Sequence, residues 1–133
     1  MSKPTFTKQE QVPATDEITE VATGIYRTQL PIDMPGLGHV NMYVFEDERG
    51  VAVVDPGLPG KANWRAINAR LRALGVPLKR VHSIVVTHSH PDHFGGAARL
   101  TRHGGRHHYP PKLPPVVRPE RTRRCGCGNC CTA

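Results

Sequence analysis

The fold of this chain is decided by the stretch Thr87-His88-Ser89-His90-Pro91-Asp92-His93-Phe94-Gly95-Gly96, which holds three imidazoles and one carboxylate within six residues. It follows the apolar run Val81–Val86, which predicts a β-strand that delivers these side chains at the edge of a sheet. His88 and His90 are two residues apart, so they point to the same side of an extended chain. Imidazoles with a carboxylate and no thiolate suit zinc or a similar first-row metal in a catalytic site. An ordinary cluster of surface histidines is the alternative, and the spacing, the strand and the Gly-Gly pair disfavour it.

The length and the charge distribution limit what the chain can be. Its 133 residues predict one small domain. The net charge of +7 is uneven: residues 1–100 carry 11 Lys and Arg against 10 Asp and Glu, whereas residues 101–133 carry 7 against 1. The body is therefore nearly neutral, and a nucleic-acid partner is not expected. The chain begins without an apolar leader and has no run of about 20 apolar residues, so we expect a cytoplasmic protein outside the membrane.

The order of apolar and polar segments predicts a folded domain over residues 17–100, preceded by a flexible lead-in over residues 1–16. Strands are predicted at Val40–Phe45 and Val51–Val54, and the polar turn between them predicts an antiparallel hairpin. Leu30–Gly38 contains two prolines and two glycines and is predicted to be a loop.

One amphipathic helix is predicted within Lys61–Leu74. Trp64, Ile67, Leu71 and Leu74 recur at spacings of three, four and three, which places them on one helical stripe. Gly75 stands where a helix-ending glycine belongs, and Pro77 prevents continuation. Trp64 is interpreted as a packing residue.

Two histidines outside the central motif receive structural interpretations. His39 lies in the loop Met34–Asn41, where it either faces the site or supports the structure. His82 shares a strand face with Ile84 and Val86, which predicts a packed or hydrogen-bonded side chain.

The succession of strand, Asp55 turn, helix, strand and His-x-His-x-Asp-His resembles the metallo-β-lactamase superfamily, with the motif of its glyoxalase II-like members. The loop Met34–Asn41 and the turn Asp55–Leu58 are also similar to those of bacterial members. The resemblance covers about Glu17–Leu100 and implies an α/β fold, namely the N-terminal αβ half of an αββα sandwich. It further implies a hydrolase with one or two zinc ions, in which metal-bound hydroxide attacks an ester, thioester, lactam or phosphodiester of a small-molecule substrate.

The resemblance also implies roles for individual residues. His88 and His90 would bind the first metal, and Asp92 and His93 the second. Asp92 would also act in catalysis, by orienting the water and passing its proton to the leaving group. Asp55 would lie beneath the metal as an acidic residue that keeps the ligand histidines oriented. No other cofactor is predicted.

Residues 101–133 depart from the family pattern, because members continue into a second αβ half that supplies a histidine, an aspartate and a last histidine. Three interpretations of this segment stay open: a basic nucleic-acid arm, a small metal knuckle, or a disordered, out-of-frame product. Codons compatible with Arg102–Leu113, read one nucleotide later, can encode a Thr-Gly-Ala turn and a β-branched strand, which favours the third. The knuckle would be built on the four cysteines Cys125, Cys127, Cys130 and Cys131.

Two functional hypotheses follow. The first is a truncated hydrolase, whose site lacks part of the family's ligands and whose activity is reduced or lost. The second is a non-catalytic metal-binding or interaction protein with a residual half-site. The oligomeric state is not predicted.

Overall fold

A computed structural model describes residues 7–108, and its framework is a six-stranded sheet whose strand order is the chain order. The strands are β1 (Ile18–Ala22), β2 (Ile25–Met34), β3 (Leu37–Asp47), β4 (Gly50–Val54), β5 (Val81–Val85) and β6 (Arg106–His108). The helices are α1 (Lys61–Ala73), α2 (Pro91–Phe94) and α3 (Ala97–Thr101), with 3-10 turns at Gln9–Gln11 and Leu78–Arg80. Neighbours from β1 to β4 are antiparallel, whereas β4, β5 and β6 are parallel. The mixed sheet with helices confirms the predicted α/β class.

The hairpin of β3 and β4 is confirmed, with Tyr43 opposite Val54 and Asp47 opposite Gly50. The predicted loop over Leu30–Gly38 is wrong, because β2 and β3 form a long hairpin that turns only at Pro35-Gly36. Pro31 is tolerated within β2 since β1 pairs no further along it than Thr28. Beyond that point β2 is an edge strand, where a missing backbone N–H leaves no ladder bond unmade.

The core lies between one face of the sheet and the helices α1 and α3. Ile67 and Leu71 of α1 and Leu100 of α3 are each at most 1% exposed. They pack with strand residues on the face toward the helices, namely Leu30, Val40, Met42, Val44, Val51, Val53, Val81 and Ile84. A register shift between β4 and β5 brings both Val81 and Ile84 to this face, although three positions separate them. On the opposite face of β3, Tyr43 is half-buried and Phe45 is 40% exposed.

Helix α1 matches its predicted stripe and ends as its sequence requires. Gly75 has a φ of +70°, the left-handed conformation that favours glycine. Its N–H donates to the carbonyl of Arg72, and the N–H of Val76 donates to the carbonyl of Leu71. This pair of bonds is a Schellman motif, which satisfies two carbonyls at the helix end. Trp64 packs against the core from the same helix, as predicted.

The part of the lead-in that the structure describes is held against the domain. The buried guanidinium of Arg70 lies 2.7 Å from the carboxylate of Asp16 and donates to the carbonyls of Thr15 and Gln29. A charged group buried in this way is stabilised by its ion pair and its hydrogen bonds. These contacts tie residues 15–16 to α1 and β2.

The ordered fold continues past Leu100, which sequence analysis gave as its end. Residues 106–108 form β6, which extends the sheet in parallel beside β5 with Ser83 opposite Arg106. The imidazole of His103 stacks on the indole of Trp64 at a centroid distance of 5.7 Å. The four cysteines lie outside the described residues. None of the helices between residues 7 and 108 is long and apolar enough to cross a bilayer.

Candidate metal centre

The parallel pairing of β4 and β5 brings two distant segments to one edge of the sheet. Val54 and Val85 are the last registered pair, so the residues after both strands leave the sheet side by side. The N–H of Asp55 adds one more bond by donating to the carbonyl of Val85 at 2.9 Å. Asp55 is thereby placed against Thr87, although 32 positions separate them in the chain.

Asp55 is held tightly in a conformation that is unusual for its residue type. Its φ is +52°, and it is the one non-glycine residue between 7 and 108 with a positive φ. The carboxylate accepts from the N–H of Thr87 at 2.8 Å and from its hydroxyl at 2.6 Å. Left-handed backbone costs an L-residue about 1–2 kcal/mol, and aspartate adopts it more readily than most because of its local hydrogen bonding. The side chain is buried, so these two bonds offset both the backbone strain and the loss of hydration.

The three histidines of the central motif converge, but not through extended backbone as the sequence predicted. The chain bends over residues 87–89 and then begins the short helix α2. Nε2 of His88 lies 3.2 Å from Nδ1 of His90, and the rings of His88 and His93 are 3.9 Å apart by centroid. Oδ2 of Asp92 lies 3.3 Å from Nε2 of His93. The bend therefore gathers all four predicted ligands.

His93 connects this group to Asp55. Its Nδ1 lies 2.9 Å from Oδ2 of Asp55, yet this buried nitrogen makes no hydrogen bond of proper geometry with any described residue. Donor atoms of Asp55, His88 and His93 all lie within 4.8 Å of one another, close enough to hold one metal ion. The Asp55 carboxylate also accepts two hydrogen bonds from Thr87, and its predicted role of orienting the ligand histidines stays a prediction. The predicted division into a His88/His90 site and an Asp92/His93 site stays a prediction.

The Gly-Gly pair after the histidines allows this loop to pack against the Asp55 turn. The N–H of Gly96 donates to the carbonyl of Gly57 at 3.1 Å. A Cβ at Gly95 would overlap the backbone of Pro59, and a Cβ at Gly96 would overlap the carbonyl of Pro56. Side chains are therefore excluded at both positions, which explains the two glycines.

The side chain of Asn63 fixes the other surface of the Asp55 turn. Its amide donates to the carbonyls of Pro56 and Leu58, although the residue lies in the first turn of α1. Asn63 is 4% exposed, so these bonds supply the partners that its buried amide N–H group needs. The turn under the histidines is thus held from both sides.

Two histidines outside the motif, His39 and His82, have structural partners. His39 belongs to β3 and not to a loop, and its Nδ1 lies 2.6 Å from the carbonyl oxygen of Val12. His82 lies near the start of β5, where its ring contacts the hydroxyl of Ser83 and the carboxylate of Asp47. This confirms the predicted hydrogen-bonded role of His82 and favours the structural interpretation of His39.

Thr87 has no role predicted from the sequence. In the structure its hydroxyl lies 2.6 Å from Oδ2 of Asp55 and 2.9 Å from Nδ1 of His88, so it links the two. The available signal for such a role was its position directly before His88, the first histidine of the motif. The left-handed backbone of Asp55 left no comparable mark, because aspartate before Pro-Gly is common in ordinary turns.

Comparison with known proteins agrees with this geometry. The family model of the metallo-beta-lactamase superfamily matches residues 35–121, which is more than half of the 133 residues. This chain belongs to the metallo-beta-lactamase superfamily. The matched range extends beyond Leu100 and ends before the first cysteine.

Individual relatives and solved structures show how much of such a protein the chain represents. A hydroxyacylglutathione hydrolase of Albidiferax ferrireducens is 34% identical over 88 residues, which cover 66% of this chain and 31% of that protein. A metallo-beta-lactamase family protein of Thermus thermophilus superposes with a TM-score of 0.61 at 34% identity, covering 65% of this chain and 29% of that one. The metallo-beta-lactamase FIM-1 of Pseudomonas aeruginosa, solved in its mono-zinc form, gives a TM-score of 0.56 at 25% identity over 75% of this chain and 43% of that one. The chain therefore spans about a third of the relatives it matches.

Proposed function

We propose that this chain carries the zinc-binding part of a metal-dependent hydrolase. The observation behind the proposal is that the bend after β5 brings Nε2 of His88 within 3.2 Å of His90, the ring of His88 within 3.9 Å of His93, and Nε2 of His93 within 3.3 Å of Asp92. Imidazole and carboxylate donors without a thiolate suit zinc. Nδ1 of His93 faces the buried carboxylate of Asp55 at 2.9 Å, which leaves Nε2 of the same ring, 3.3 Å from Asp92, as the nitrogen available to a cation.

The residues divide into ligands and supports. His88 and His90 would hold a first zinc ion, because their Nε2 and Nδ1 atoms face each other at 3.2 Å and can share one cation. Asp92 and His93 would hold a second. Asp55 would stay beneath them, where its carboxylate orients Thr87 and approaches His93.

The proposed reaction is hydrolysis of a small molecule with an ester, thioester, lactam or phosphodiester bond. Bound zinc supplies a Lewis acid that makes water acidic and polarises the bond to be cleaved. Asp92 is mostly buried beside His93, and we assign it to orienting water and carrying its proton to the leaving group. The names of the relatives support a hydrolase acting on a small molecule rather than on nucleic acid. A cytoplasmic location belongs to the same proposal.

The test measures zinc content and hydrolysis on the full 133-residue chain. We expect zinc to stay bound through dialysis, and we expect His88→Ala to weaken zinc affinity by more than about tenfold. His82→Ala is the matched control, because His82 lies near the opposite end of β5 and contacts Asp47 instead. Chromogenic ester, thioester, β-lactam and phosphodiester substrates then report activity.

Each result distinguishes the hypotheses. Zinc binding that depends on His88, together with hydrolysis, supports the enzyme. Zinc binding without hydrolysis of any substrate class supports the non-catalytic metal-binding alternative. If the unaltered chain binds no zinc, or if His88→Ala and His82→Ala lose zinc affinity equally, the proposed site is wrong.

A further inference from the structure

We propose that Thr87 is a positioning residue that sets the tautomer of His88, through a relay of hydrogen bonds that starts at Asp55. Three groups form the relay, namely the Asp55 carboxylate, the Thr87 hydroxyl and the His88 imidazole. The hydroxyl oxygen lies 2.6 Å from Oδ2 of Asp55 and 2.9 Å from Nδ1 of His88. One hydroxyl group therefore bridges an acid and a proposed zinc ligand.

The direction of the relay follows from what each group can donate. An ionised carboxylate only accepts hydrogen bonds, so the hydroxyl proton of Thr87 must point to Asp55. The short distance agrees with a bond to a charged acceptor. The Thr87 oxygen then has only lone pairs left for His88, so Nδ1 of His88 must carry the proton and donate it.

The consequence lies at the other nitrogen of the ring. A neutral imidazole has one proton, so the relay leaves Nε2 of His88 with a free lone pair. That atom faces Nδ1 of His90 at 3.2 Å. In the metal-free chain Nε2 of His88 therefore accepts from His90, and the same lone pair is aimed where the proposed site needs a donor.

The contacts around the Asp55 carboxylate fix the direction of hydrogen-bond donation, from His88 to Thr87 and from Thr87 to Asp55. The second oxygen of the Asp55 carboxylate accepts from the backbone N–H of Thr87 at 2.8 Å, so the carboxylate cannot turn away. Asp55 is 6% exposed, so water cannot easily replace the hydroxyl at the carboxylate. The Asp55 carboxylate, held in place by this unusual backbone, therefore determines which ring nitrogen of His88 carries the proton, although Thr87 lies between them.

The test reads the tautomer directly in metal-free protein. Long-range nitrogen–proton NMR correlation on the full chain with ¹⁵N-labelled histidine, recorded at a pH of about 8, distinguishes the two neutral tautomers. We expect His88 to carry its proton on Nδ1. His39 is the internal reference, because its Nδ1 donates to the carbonyl of Val12 at 2.6 Å and is not connected to Thr87.

Three variants separate the relay from a merely structural role. Thr87→Ser keeps the hydroxyl and should keep the His88 tautomer, whereas Thr87→Val removes the acceptor and should give a mixture. Asp55→Asn is isosteric, and its amide would donate to Thr87, so the hydroxyl would turn to His88 and move the ring proton to Nε2. His39 should stay unchanged in all three. An Nε2–H tautomer of His88 in the unaltered protein, or no change in Asp55→Asn, overturns the relay.

Zinc affinity provides a second measurement, and only this step depends on the proposed function. Thr87→Val should bind zinc about 10–100-fold more weakly, with Thr87→Ser close to the unaltered chain. If no form binds zinc, the proposed site fails while the tautomer result decides the relay by itself. If zinc binds equally well to all forms although the tautomer changes, the relay has no role in ligation.

Discussion

The strain at Asp55 can be measured by comparing Asp55→Gly with Asp55→Ala. Both variants leave the N–H and the hydroxyl of Thr87 without their acceptor. Thr87 is exposed, so water can satisfy both donors, and each variant should lose only the net contribution of the two hydrogen bonds to a charged acceptor, roughly 3 kcal/mol of unfolding free energy or less. The two variants differ in the backbone, because alanine keeps the unfavourable φ of +52° and glycine does not.

The expected difference in unfolding free energy between the two variants is small, and the glycine variant should be the more stable one. Alanine in left-handed backbone costs about 1–2 kcal/mol, whereas glycine loses about 0.4–1 kcal/mol more entropy on folding. Asp55→Gly should therefore be more stable than Asp55→Ala by about 0.5–1 kcal/mol. At an exposed position within a helix, alanine is instead more stable than glycine. Ala69→Gly in α1 should therefore lower the unfolding free energy by about 1 kcal/mol.

Urea unfolding, followed by circular dichroism with a chelator present, measures both effects without any contribution from metal. With a slope of about 1–1.5 kcal/mol per molar urea, the Gly–Ala difference shifts the midpoint by roughly 0.5 M. If Asp55→Ala is as stable as Asp55→Gly, the backbone at position 55 is not strained. A loss below about 1 kcal/mol in both would show that the bonds to Thr87 contribute little.

Two further predictions concern packing and pH. Leu100→Ala should lower the unfolding free energy by about 2–5 kcal/mol in urea unfolding, since the side chain of Leu100 in α3 is fully buried. Val21→Ala is the control, because Val21 is 49% exposed and its replacement should change the unfolding free energy by less than about 0.5 kcal/mol. The pKa of Asp47 is lowered to about 2, chiefly by the hydrogen bond from the Arg49 side chain. Its ionised form therefore stabilises the fold above the ordinary pKa of 3.8, and this contribution disappears as the pH falls toward 2. Asp47→Asn should therefore flatten the pH dependence of the unfolding midpoint between about pH 2 and 3.8. Glu48→Gln is the exposed control. If the slope is unchanged in Asp47→Asn, or if Glu48→Gln has the same effect, ionised Asp47 does not stabilise the fold in this way.

The elements that the sequence predicted well are those whose signal is local. The stripe of α1, its glycine stop and the hairpin of β3 and β4 each depend on side chains within a few residues of one another. The histidine motif was identifiable for the same reason, because its donors lie within six residues.

The elements that the sequence did not predict depend on tertiary pairing. Pro31, Pro35, Gly36 and Gly38 favour a loop by composition, but Pro31 lies where β2 has no outer neighbour and so fits a strand. The link from Asp55 to His88 was hidden because it passes through Thr87, after a parallel pairing that spacing alone does not show. Strand β6 depends on its backbone pairing with β5 and has little apolar pattern of its own.

The strand order of the sheet has a consequence for how the chain acquires its structure. Each strand pairs only with the strands directly before and after it in the sequence. No strand has to be inserted between two that are already joined, so the sheet can grow from β1 toward β6 as the chain leaves the ribosome. Short sequence separation between partners also favours rapid folding. The longest step is the crossover through α1 from β4 to β5, and this step brings Asp55 to Thr87, so the metal centre would form only after most of the sheet is in place.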